Sequence, residues 1–131
     1  MKLKLSFSGL CAIVALGGLT ACADTAQGKL RQTVYDVDSA YHVLANPMPD
    51  VMAGKVPGIT LTDTQKDIAK RASQTVFNEI QSLETSIEGG DSITQTAVSA
   101  LQTDFASFET CWAGLKTGIT PDACVAIDRG N

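Results

Sequence analysis

Apolar residues recur at helical spacing along most of this chain. In the first stretch they are separated by four, three, four and three residues, which places them on one face of an α-helix. These residues are Leu30, Val34, Val37, Tyr41 and Leu44. The pair Asn46-Pro47 ends this helix, because a residue before proline is pushed away from helical dihedral angles.

Two further apolar stripes follow the first. The second helix is predicted to start at Thr62, with Gln65 completing a capping box, and to end at Gly89-Gly90. Its stripe consists of Ala69, Ala72, Val76, Ile80, Leu83 and Ile87, widened by Ile68 and Phe77. The third helix is predicted to start at Asp91 or Ser92 and to end at Gly118. Its stripe consists of Ile93, Ala97, Leu101, Phe105, Phe108, Trp112 and Leu115.

These stripes predict an all-α fold, a small three-helix bundle. Amphipathic helices of about 20 to 27 residues are not stable alone and bury their stripes against one another. The short link Gly89-Gly90-Asp91 makes the second and third helices antiparallel neighbours. Thr120-Pro121 begins a short C-terminal helix that runs through Ile127.

The first 21 residues have the composition of an export signal. Lys2 and Lys4 precede an apolar run from Leu5 to Leu19, an n-region followed by an h-region. The run is about 15 residues long, shorter than the ~20 of a membrane-spanning helix. The end of this segment, Leu19-Thr20-Ala21-Cys22, resembles the lipobox of bacterial lipoproteins. The resemblance implies cleavage before Cys22 and lipidation of that residue, with palmitate-type acyl chains.

Residues 1–21 are accordingly assigned to a signal peptide, 22–29 to a short lipid-proximal tether and 30–128 to the helical bundle. Ala23 stands where lipoproteins of the inner membrane usually carry aspartate, so the resemblance favours the periplasmic face of the outer membrane. Asp24, one position later, leaves the inner membrane open. Ala21-Cys22-Ala23 also fits ordinary signal peptidase, which would release a soluble periplasmic or secreted protein. An uncleaved anchor is the third alternative.

The four cysteines fit an exported protein. Cys11 leaves with the signal, and Cys22 is acylated or removed. Cys111 and Cys124 remain, and an even pair in an exported chain predicts one disulfide. This bridge would staple the C-terminal helix to the third helix. Two unpaired buried thiols are the alternative.

Net charge and side-chain chemistry reduce the number of functional classes that fit this chain. The signal segment holds two of the 10 basic residues and none of the 14 acidic ones, so the mature chain has a net charge of −6. This excludes nucleic-acid binding and charge-driven membrane binding. His42, the only histidine, lies four residues after Asp38, as expected of a solvated pair. The carboxylates, including Glu79 and Asp104, are spread over polar helix faces. We therefore expect no metal site, no cofactor and no catalytic activity.

The segment from Asn46 to Leu61 departs most from a plain bundle. It combines three prolines with apolar residues that include Met48, Val51 and Met52. Either it folds back over one end of the bundle or these side chains contact a partner protein. Tyr35, which lies off the first stripe, is a further candidate for partner contact. Phe105, Phe108 and Trp112 are assigned to the core.

These features predict a small exported lipoprotein that acts as a membrane-tethered structural or interaction module in the cell envelope, with an unknown envelope protein as partner. The placements Val34-Tyr35 and Ala40-Tyr41 resemble small alanine-rich helical proteins of phages and prophages. That resemblance implies a lysis accessory, similar to the outer-membrane lipoprotein of a two-component spanin. A periplasmic helical protein that binds a small ligand is the remaining alternative.

Overall fold

A computed structural model describes the backbone of residues 8–128 and the side chains of residues 25–127. In this part of the chain the regular secondary structure is helical, without strands. The helices are α1 (Ser8–Ala45), α2 (Met48–Met52), α3 (Asp63–Glu88), α4 (Gln95–Lys116) and α5 (Asp122–Asp128). Each of the long helices α1, α3 and α4 packs against the other two, and α5 packs on α3 and α4. The predicted three-helix bundle with a short C-terminal helix is confirmed.

The core is built from the predicted stripes. The fully enclosed side chains from these stripes are Val34, Val76, Ile80, Leu101, Phe108, Trp112 and Leu115, and Val98, Cys111 and Ile127 are enclosed with them. Leu30, Leu44, Phe77, Leu83 and Phe105 are partly buried and pack against them. Complete burial of a large apolar side chain contributes about 1.5–3 kcal/mol, so the helices are stabilised mainly by contact with one another.

Helix α1 continues upstream of Leu30, where the first apolar stripe begins. Residues 25–29 are helical, and Gln27 joins the bundle through a two-point hydrogen bond. Its Nε2 donates to the carbonyl of Ile93 at 2.9 Å, and its Oε1 accepts from the Ile93 N–H at 3.0 Å. Within the segment predicted to be a tether, residues 25–29 thus continue the helix, and Gln27 contacts the bundle.

Helix α4 starts later than the sequence predicts. The N-cap is Thr94 rather than Asp91 or Ser92, and its hydroxyl accepts from the N–H of Ala97 at 3.1 Å. Ile93 is kept out of the helix because both of its backbone polar groups bond to Gln27. Ile93 and Val98, both buried, occupy the N′ and N4 positions of a hydrophobic staple.

Helix α3 has the predicted boundaries. Thr62 and Gln65 form a reciprocal capping box, with bonds of 3.2 Å and 3.0 Å. At its other end Gly90 has φ of +79°, a left-handed conformation that glycine adopts without steric cost. The turn from Gly89 to Thr94 then brings α4 back antiparallel to α3.

The predicted disulfide is also confirmed. Cys111 of α4 and Cys124 of α5 are bridged, with 4.8 Å between their Cα atoms. Both residues are buried. The segment that leads into α5 passes close to α4 at Gly114, where an added β-carbon would overlap the ring of Pro121. Helix α5 is therefore positioned by a covalent bond and by this close approach.

Candidate functional site

The segment from Asn46 to Leu61 folds back over one end of the bundle. It contains the short helix α2, in which Met48 is 5% exposed and Val51 is 3% exposed. Met52 is partly buried against the same core. Met48 and Val51 are thus largely covered by the bundle, which agrees with the alternative that the segment folds back over its end. Met52 retains accessible surface, and Tyr35, at 43% exposure, lies open on α1.

Helices α1, α2 and α3 border an open groove at this end of the bundle. One cavity of about 550 Å³ is lined by Tyr41, Ala45, Met48, Pro49, Met52, Lys70, Ser73 and Gln74. A neighbouring cavity of about 490 Å³ is lined by Tyr41, His42, Ala45, Asn46, Pro49, Gln74 and Phe77. Because four residues line both, the two cavities form one continuous depression, which we call the α1–α2–α3 groove.

Tyr41 is the central side chain of this groove. Its ring stacks on Phe77 at 5.8 Å between ring centres. Its hydroxyl lies 2.8 Å from the Ser73 hydroxyl, and either can donate in this hydrogen bond. Tyr41 is itself buried, so these contacts fix it as a rigid wall between the core and the groove.

A second groove lies between α1 and α4. It has a volume of about 560 Å³ and is lined by Ser39, Ala40, Val43, Leu44, Pro47, Phe105, Glu109, Trp112 and Lys116. Val43 is 78% exposed. The Nζ of Lys116 lies 5.7 Å from the centre of the Trp112 ring. This α1–α4 groove contains one basic and one acidic side chain.

Two carboxyl groups meet where α3 packs on α4. Burial, together with a hydrogen bond to Asp104 and the negative charge of that residue, raises the pKa of Glu79 from 4.5 to about 8. Two carboxyl groups in hydrogen-bond contact share a proton, because two ionised carboxylates would repel. Glu79 therefore holds its proton to a higher pH than an ordinary glutamate does.

A second acidic group lies between α3 and α1. Burial raises the pKa of Glu84, the nearby charges of Asp38 and Glu88 add to this effect, and His42 opposes it. His42 is 63% exposed, and its Nε2 lies 3.2 Å from Asp38 Oδ1. The expected Asp38–His42 pair of α1 is thus present at the surface. It lies close to Glu84 of α3, which also has the acidic residue Glu88 near it.

The described residues contain no group of three or more side chains that could hold a metal ion. No helix in this part of the chain is long and apolar enough to cross a membrane. The described residues around the two grooves combine apolar walls with hydroxyl groups and a few charged side chains.

Only some of the site residues predicted from the sequence lie in the part of the chain whose side chains are described. Cys111 and Cys124 lie together in the disulfide, whereas the lipobox and Cys22 lie outside the described side chains. Sequence reasoning missed the juxtaposition of Lys70 and Ser73 with Tyr41, and that of Glu79 with Asp104. Their only sequence signal is that Lys70 and Glu79 flank the apolar stripe of α3.

Comparisons with models of known protein families, with curated proteins and with solved structures found no match.

Proposed function

We propose that this protein is an exported lipoprotein whose helical bundle acts as an interaction module at the cell envelope. Acyl chains on Cys22 would hold it to the periplasmic face of the outer membrane. The observation that carries the proposal is that the cysteines of the mature chain fall into two chemically different sets. Cys22 completes the lipobox pattern, and the other two cysteines of the mature chain, Cys111 and Cys124, are joined to each other.

The disulfide supports export because such bonds persist in oxidising compartments. Two or three acyl chains would then supply stable attachment, at ~0.8 kcal/mol per buried methylene. The net charge of −6 after removal of the signal offers no basic surface for anionic lipids. The lipid is therefore the membrane-binding device in this proposal.

The course of α1 would orient the bundle relative to the membrane. Gln27 lies near the lipidated end and contacts the turn between α3 and α4 through Ile93. Ala45, at the end of α1, lines the α1–α2–α3 groove. At 1.5 Å per residue these two positions are about 27 Å apart along the helix. The groove would consequently lie at the end remote from the lipid, open to periplasmic molecules.

Metabolic labelling tests the proposal. The full-length gene is expressed in a Gram-negative bacterium with labelled palmitate, as wild type, Cys22→Ser and Cys11→Ser. We expect label in the membrane-bound wild type and in Cys11→Ser, and none in Cys22→Ser. A thiol-reactive mass tag should show that Cys111 and Cys124 remain bridged in all three. Label retained by Cys22→Ser, or an unlabelled soluble wild type, would contradict lipid anchoring.

A further inference from the structure

We propose that the α1–α2–α3 groove binds a small apolar monocarboxylate. The apolar part of the ligand would lie against Tyr41, Met48 and Met52, and its carboxylate would pair with Lys70. Acylation of Cys22 is not required for this binding, which concerns the opposite end of α1.

The charge of the groove selects an anion. Lys70 lines the larger cavity, is exposed, and has no acidic side chain within ion-pair distance among residues 25–127. Two nearby acids have other partners: Asp38 pairs with His42 at 3.2 Å, and Asp50 pairs with Lys55 at 3.6 Å. Asp67, one turn before Lys70 on α3, lines neither cavity. No acidic residue lines either cavity of the groove.

A hydroxyl group that can donate a hydrogen bond lies on the same side of the groove as Lys70. Lys70 and Ser73 are three residues apart on α3, so they lie on the same face of the helix. Ser73 and Tyr41 each carry one hydroxyl hydrogen, and a single hydrogen bond of 2.8 Å joins them. One hydrogen therefore remains to be donated. A carboxylate, which only accepts hydrogen bonds, can use this hydroxyl and the ammonium of Lys70 together.

The walls of the groove suit an apolar chain. Met48 and Met52 are one turn apart on α2 and line the larger cavity with Pro49. Methionine side chains are flexible and polarizable, so they adapt to ligands of different shape. The ring of Tyr41, fixed by Phe77 and Ser73, provides a rigid aromatic wall. A volume of about 550 Å³ lies within the ordinary range for small-molecule sites.

The α1–α4 groove provides an internal comparison. It has a similar volume, about 560 Å³, but it contains Glu109 as well as Lys116. The carboxylate of Glu109 would repel an anionic ligand, and Lys116 is already placed over the Trp112 ring. We therefore expect the α1–α2–α3 groove to be the site for anions.

Methyl NMR of the full chain in phospholipid nanodiscs tests this inference. The protein has three methionines, of which Met48 and Met52 line the groove, so ¹³C-methyl-methionine labelling reports on it directly. The probe is octanoate, compared with octan-1-ol and octylammonium. We expect octanoate to shift the methyl signals of Met48 and Met52 saturably, and the two control compounds to bind more weakly.

Two lysine variants separate charge pairing from apolar partitioning. Lys70→Gln should weaken octanoate binding about fivefold, the effect of a solvent-accessible ion pair of ~1 kcal/mol. Its affinity should then approach that for octan-1-ol. Lys116→Gln is the matched control, because it removes the lysine of the other groove, and it should leave the affinity unchanged. An unchanged melting temperature in the absence of ligand shows that both variants fold.

Three results would overturn the inference: no saturable shift with octanoate, equal affinity for octanoate and octan-1-ol, or a loss of affinity in Lys116→Gln that Lys70→Gln does not show. None of them bears on palmitate labelling at Cys22, so failure of the ligand site and failure of lipid anchoring are distinguishable.

Discussion

Replacing Gly114 by alanine tests how closely α5 approaches α4. An added β-carbon at Gly114 would lie 2.6 Å from Cδ of Pro121 and closer still to Cγ. The proline ring cannot rotate away as a flexible side chain would. The carbonyl of Pro121 also accepts from the N–H of Cys124 at 3.0 Å, and Cys124 is bonded to Cys111. The clash must therefore move the start of α5 or bend the end of α4.

The expected cost follows from two opposing effects. Insertion of a methyl group into a well-packed contact costs about 1–3 kcal/mol. Alanine recovers about 0.5–1 kcal/mol, because glycine is unfavourable inside a helix. The net loss in the free energy of unfolding is then roughly 0.5–2 kcal/mol. For a domain of this size about 1 kcal/mol corresponds to 4–8 °C, so Gly114→Ala should lower the melting temperature by roughly 2–16 °C.

Thermal unfolding followed by circular dichroism measures the effect. Gly28→Ala is the matched control, because Gly28 is also helical and an added β-carbon there has nothing within 4 Å. It should raise the melting temperature. In a Pro121→Ala background the cost of Gly114→Ala should shrink, since the overlapping ring is gone. If Gly114→Ala is as stable as wild type, or if its cost is unchanged without Pro121, the described approach of α5 is wrong.

Three further predictions concern the disulfide, the buried carboxyl and the α2 segment. Replacing Cys111 and Cys124 together by serine should lower the free energy of unfolding by roughly 3 kcal/mol in urea, because the unfolded chain loses its closed loop. Glu79→Gln should flatten the dependence of stability on pH between 4.5 and 8. The folded form of Glu79 binds its proton more tightly than the unfolded form, so wild-type stability falls as pH rises through this window. Met48→Ala should cost about 2–5 kcal/mol, whereas Tyr35→Ala, at an exposed site, should change stability by less than about 0.5 kcal/mol.

Each of these predictions has a contrary outcome. A serine variant as stable as wild type would mean that the bridge does not constrain the chain. If the free energy of unfolding depends on pH as steeply in Glu79→Gln as in wild type, the titrating group is not Glu79. The pKa of Glu84 is also raised, so a smaller slope of the same sign should remain in this variant. Equal effects of Met48→Ala and Tyr35→Ala would contradict the burial of α2.

The elements that the sequence predicted best are those governed by local rules. The stripe from Ala69 to Ile87 follows the period of one helix, and the capping box of Thr62 and Gln65 spans three residues. The start of α4 was predicted incorrectly because Asp91, Ser92 and Thr94 can all serve as N-caps. A contact 66 residues away, between Gln27 and Ile93, decides among them.

Two other features depend on how the helices are rotated relative to one another. Glu79 and Lys70 both flank the apolar stripe of α3, and their sequence positions do not show which neighbour each one faces. Packing brings Glu79 to Asp104 on α4 and Lys70 to the groove beside α2. Helix α2 itself was not predicted, because its prolines suggest a loop. Proline is nevertheless compatible with the first turn of a helix, and burial of Met48 and Val51 stabilises this turn.

The most direct test of the proposed function is the intact mass of the mature protein, purified without reductant from the membrane fraction and, separately, from the soluble and secreted fractions. We predict a chain that begins at Cys22, carries acyl chains, and lacks two hydrogens because Cys111 and Cys124 are bridged. An unmodified chain beginning at Asp24, or one that retains Met1, would contradict lipid anchoring at Cys22.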